Sequence, residues 1–70
     1  MQASLGKRMK IIREVRSMGQ FDLARATGID RSRLSLIENG HIDPTPEQLE
    51  RIKIALNWTP EVDVYLEALA

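Results

Sequence analysis

The tripeptide Gly28-Ile29-Asp30 constrains this chain more than any other feature, because it joins two short segments of helical apolar period through a tight turn. Before it, residues 20–27 (QFDLARAT) place Leu23, Ala24 and Thr27 at i, i+1 and i+4, on one face of a helix. After it, residues 31–39 (RSRLSLIEN) place Leu34 and Ile37 at i and i+3. Gly28 can take the left-handed conformation that ends a helix and reverses the chain. Asp30 can then cap the following helix by accepting its free N–H groups. Ile29 points into the crossing, the small Ala24 permits a close approach, and Gly40 stops the second helix. The two apolar faces can close only at a steep crossing, which is the recipe of a helix-turn-helix.

Gln20, Leu23, Ala24, Gly28, Ile29, Leu34, Ser35, Ile37, Glu38 and Gly40 stand in the register Q-x-x-L-A-x-x-x-G-hydrophobic-[ST]-x-x-x-hydrophobic-S-x-hydrophobic-E-x-G. In this the segment resembles the lambda-repressor-like (Cro/repressor, XRE-type) helix-turn-helix family. Asp30 replaces the family's usual Ser or Thr cap with one equally able to accept. The likeness runs from about residue 5 to residue 58. It implies an all-α, five-helix DNA-binding domain, with residues 1–70 forming one domain and the helix-turn-helix at 20–40.

The flanking sequence is consistent with that architecture. A frayed start over residues 1–4, with Ser4 as cap, precedes a helix predicted at 5–16. Leu5, Met9 and Ile12 form its core stripe, while Lys7, Lys10 and Glu14 face water. Residues 17–19 connect, and Met18 plugs the core. After a loop at 41–45, Thr45 caps a fourth helix, with Pro46 at its first position and Gln48 completing a capping box. Leu49, Ile52, Ala55 and Leu56 supply its buried face, Asn57 ends it, and Trp58 folds back onto the core. Thr59-Pro60 opens a last helix whose apolar residues are Val62, Tyr65, Leu66 and Leu69. No strand pattern, repeat or low-complexity segment is visible.

Charge sharpens the reading. The net charge is zero, yet residues 1–33 carry eight basic and three acidic side chains, and residues 34–70 carry two basic and seven acidic ones. A chain of this polarity can present a basic face while staying neutral overall. There is no cysteine, which excludes disulfides and thiolate chemistry and fits a cytoplasmic protein. No signal-peptide pattern or membrane-length apolar run occurs. A lone histidine makes a poor metal site, no catalytic constellation stands out, and no cofactor is implied.

The family resemblance assigns roles residue by residue. Arg31, Ser32, Arg33 and Ser35 occupy the start and outer side of the helix that, in the family, enters the major groove and reads base edges. Arg can bond guanine O6 and N7 together. Leu36 departs from the usual polar residue; it could meet a thymine methyl or be an exposed Leu that touches no base. Gln20 is implied to bond a phosphate and to pack against a third-helix side chain, and Asn39 and His41 to lie near phosphate, with His41 alternatively a plain surface residue. Arg13 and Glu38 match the family's recurring ion pair, which would orient the reading helix.

Ile11, Val15 and Phe21 fall where relatives carry polar residues, and they suggest a second covered surface. The helix at 60–69 is the natural cover, in cis or from another subunit, and its participation in a homodimer contact is the favoured expectation. The function expected is sequence-specific recognition of double-stranded DNA by a dimeric transcriptional repressor. The alternative is a protein-interaction module of the same fold that has lost DNA binding. A protein partner such as a toxin is compatible with either.

Overall fold

The computed structural model describes residues 4–69, so the expected frayed start over residues 1–3 lies outside the described residues. Five helices occur among them and no strand: α1 (Leu5–Val15), α2 (Gln20–Thr27), α3 (Arg31–Glu38), α4 (Pro46–Leu56) and α5 (Pro60–Leu69). The all-α, five-helix architecture is the one expected from the sequence. Two helices end one residue early, because Arg16 and Asn39 serve as C-caps of α1 and α3 rather than as helical residues.

The helix ends follow from local chemistry. Ser4 Oγ accepts from the Lys7 N–H at 3.2 Å. Asp30 accepts from the Ser32 N–H at 3.3 Å, and Thr45 and Gln48 exchange backbone-to-side-chain bonds at 3.1 and 3.0 Å. These partners satisfy N–H groups that a helix start otherwise leaves free. Gly28 closes α2 in the left-handed region at φ 73°. The buried Thr27 hydroxyl donates to the Leu23 carbonyl at 2.7 Å and accepts from the Ile29 N–H at 3.2 Å, which steers the turn.

The core gathers Met9 and Ile12 from α1, Leu23 from α2, Ile29 from the turn, Leu34 and Ile37 from α3, Ile52 and Leu56 from α4, Trp58, and Leu66 from α5. Leu5, Met18, Ala24, Ala55 and Val62 pack partly buried against it. Three expectations need correction. Leu49 is half-buried outside this cluster and lines a surface groove with Ile54 and Trp58: it shares the helical phase of Ile52 and Leu56 but sits in the first turn of α4, a turn before Ile52. Ile11 leans onto the core instead of waiting for another surface. Tyr65 is exposed, since each residue turns the helix by about 100° and Leu66, one step on, takes the buried position. The side chain of Leu69 lies outside the described residues.

α1 packs against both α3 and α5, and α2 against α3 and α4. The α1–α3 contact depends on Gly6: a Cβ there would lie 2.3 Å from the Ile37 carbonyl oxygen and 2.6 Å from that of Glu38. Only a bare backbone fits this approach. The last helix packs in cis, with Leu66 buried and Val62 partly buried. Arg8 of α1 secures it by bonding Asp63 and, at 3.3 Å, Glu67, while Trp58 Nε1 donates to Asp63 at 3.1 Å.

Candidate nucleic-acid interface

The inner side of α3 is held by one carboxylate. Arg13 Nε donates to Glu38 Oε2 at 2.7 Å and Arg13 Nη2 donates to Oε1 at 3.2 Å, a two-pronged pairing. Gln20 Nε2 donates to the same Oε1 at 3.1 Å, and Arg13 Nη1 donates to the Met18 carbonyl at 2.7 Å. Glu38 thus ties α1, the start of α2 and the end of α3 into one unit. The bond to Glu38 raises the Arg13 guanidinium above its already high ordinary pKa, against the opposing effect of burial. The Arg13 guanidinium is thus engaged by Glu38 and the Met18 carbonyl, and Gln20 reaches the α3 residue Glu38.

The outer side of α3 is open. Arg31, Ser32, Leu36 and Asn39 are exposed and Ser35 half-buried, at positions i, i+1, i+5, i+8 and i+4 of one helical face. Leu36 is 43% exposed and turned away from the core. Ser32 Oγ donates to the capping carboxylate of Asp30, which leaves its lone pairs free to accept. Asn39 turns its amide back onto the Ser35 carbonyl at 2.9 Å. His41 is exposed just beyond the helix, and its N–H donates to the Leu36 carbonyl at 2.9 Å.

The two arginines of α3 differ. Arg33 is half-buried and its Nε donates to Gln48 Oε1 at 3.2 Å, tying α3 to the start of α4. Arg31 has no carboxylate within ion-pair distance among the described residues, and its guanidinium stands over the Phe21 ring, 4.7 Å from the centroid. At the start of α2, Asp22 accepts from the Gly19 N–H at 2.9 Å and pairs with Arg25 at 2.7 Å. Those contacts, the Gly19 bond foremost, hold its carboxyl below the usual range.

The basic half of the chain is therefore only partly free. Arg8 and Arg13 are internal ties, and Arg16 donates to the Leu56 and Asn57 carbonyls at 3.1 and 3.4 Å, closing the end of α4. Lys7, Lys10 and Arg31 remain exposed. Composition alone does not separate these uses. Gly6 left only a weak signal: apart from proline, glycine is the poorest helix former, and here it stands in the first turn of α1. Among the described residues no three His, Cys, Asp or Glu side chains cluster to hold a metal ion, and no helix is long and apolar enough to cross a membrane.

Comparison with known proteins adds three findings. A family model described as a helix-turn-helix domain matches residues 6–61. The chain is 40% identical over 53 residues to the ImmF control region 10 kDa protein of Bacillus phage phi105, covering 76% of this chain and 59% of that protein. Its fold is similar to the crystal structure of the restriction-modification controller protein C.AhdI from Aeromonas hydrophila. That match has a TM-score of 0.76 and 26% identity, and it covers 83% of this chain and 88% of that one.

Proposed function

Because the chain belongs to the helix-turn-helix family, of the XRE (lambda-repressor-like) type, we propose that it is a sequence-specific regulator of transcription that binds double-stranded DNA and acts as a dimeric repressor on its operator. The observation that carries this is the two-sided state of α3. Its inner side is clamped by Glu38, and its outer side offers Arg31, Ser32, Ser35 and Leu36. A rigid helix with a free polar edge is what the major groove admits.

On this reading Arg31 bonds guanine O6 and N7, Ser32 and Ser35 add weaker base contacts, and Leu36 covers a thymine methyl. Gln20, Arg33, Asn39 and His41 follow the phosphates. The whole chain acts as one unit in the cytoplasm, without cofactor, metal or catalytic group. Similarity to a phage control-region protein and to a restriction-modification controller supports a regulatory role.

One reading helix specifies only a few base pairs, too little to single out an operator, and a two-fold dimer doubles the site. Val64 and Tyr65, 67% and 65% exposed on the outer side of α5, support that helix as part of the dimer contact even though its inner side is used in cis.

Selection of sites from random duplex DNA, followed by mobility shifts at low and high salt, tests the proposal. Expected are symmetric half-sites about 34 Å apart, or a multiple of that, and affinity that falls with salt. Absence of any enriched sequence would overturn it. That outcome would favour a protein-interaction module, with a toxin among its candidate partners, a reading supported by Leu36 in the open face and by the internal use of Arg8, Arg13 and Arg16.

A further inference from the structure

Phe21 has no place in the core: it is 67% exposed at the start of α2. Its ring is nevertheless engaged, because the Arg31 guanidinium lies 4.7 Å from its centroid. The neighbouring charges are committed elsewhere. Arg25 pairs with Asp22 at 2.7 Å, and the Asp30 carboxylate serves the Ser32 N–H and hydroxyl. The Gln20 amide is turned inward to Glu38 and does not reach toward Arg31. Among the described residues the aromatic face is thus the partner that Arg31 finds in the free protein.

From this geometry we infer that Phe21 is a positioning residue for recognition: its ring is a shelf that holds the Arg31 guanidinium flat at the start of α3, ready for a purine edge. The inference rests on the DNA reading and deepens it. An exposed arginine otherwise samples many rotamers and loses that freedom on binding. Stacking on a ring restricts the head group beforehand, while the guanidinium keeps its in-plane N–H donors for two bonds to one base. The Phe21 shelf also explains an exposed aromatic side chain that no buried contact requires.

The test has two parts. In the free protein, NMR should show the Arg31 side-chain protons shifted upfield by the ring current, with the shift kept in Phe21→Tyr and lost in Phe21→Leu. On duplexes selected with the wild-type chain, Phe21→Leu should lower affinity for the preferred site about two- to fivefold and reduce discrimination at the base read by Arg31, while Phe21→Tyr restores both. In an Arg31→Ala background the Leu substitution should have no further effect. Equal effects of Phe21→Leu in both backgrounds, or a wild-type Arg31 without the upfield shift, would overturn the shelf while leaving DNA binding intact. A wild-type chain that enriches no duplex overturns the DNA reading, and the inference with it.

Discussion

Replacing Glu38 with alanine removes the acceptor of three donors at once: Arg13 Nε, Arg13 Nη2 and Gln20 Nε2. What remains for the guanidinium is its bond to the Met18 carbonyl. Arginine cannot escape by losing its proton, so a charge whose side chain is only 11% exposed is left without a counter-charge. Breaking a buried pair in this way costs about 3–5 kcal/mol. The residual exposure of Arg13 lets water compensate in part, which places the expected loss near the lower end, roughly 3 kcal/mol. A domain of 70 residues has only about 3–10 kcal/mol in total, so Glu38→Ala should come close to unfolding it. Urea denaturation of wild type, Glu38→Ala, Arg13→Ala and the double variant gives the coupling, expected at about 2–3 kcal/mol. The pairing as a whole is a different matter, because Arg13→Met with Glu38→Leu should recover most of the stability and weaken orientation of α3 rather than the fold. Additive single losses, with coupling near zero, would show that Glu38 does not clamp α3.

Gly6→Ala should lower the melting temperature despite a helix-propensity gain of at most about 1 kcal/mol, because the new methyl meets backbone carbonyls that cannot rotate away and overpacking costs about 1–3 kcal/mol or more; a melt at or above the wild-type value would show that α1 shifts freely. Asp22 has a lowered folded pKa, so its stabilisation is complete above the ordinary value near 4 and fades as pH falls through the lower folded value. Thermal melts between about pH 6 and 2 should therefore show wild type and Asp22→Asn converging in acid, whereas a constant gap would mean that the carboxylate charge contributes nothing. Arg31→Ala should cost about 1–3 kcal/mol on the selected site and relax choice at one base, while Arg33→Ala, tied to Gln48, should weaken all duplexes alike; binding titrations on single-base site variants distinguish the two. Sedimentation of the free chain should show a dimer that Tyr65→Glu dissociates without unfolding it; a wild-type monomer at high concentration that binds half-sites without cooperativity would remove the dimer.

Much of this molecule was written in local sequence. Capping residues, Gly28 and the apolar spacing act over a few positions, so Ser4, Asp30 and Thr45 announce helix starts, and Leu23, Leu34 and Ile37 announce the crossing, without knowledge of the rest of the chain. The resemblance to a family added the Arg13–Glu38 pairing, which spans 25 positions and has no local signature. Tertiary structure alone decided how the cations are used. Arg8, Arg16 and Arg31 look alike in sequence, yet one holds α5, one closes α4 and one lies on an exposed ring. It also decided that α5 packs in cis and that Gly6 is a point of backbone contact. The physical reason is range: caps and helical phase are set within a turn or two, whereas the partner of a long, flexible side chain is set by which helices the core brings within its reach.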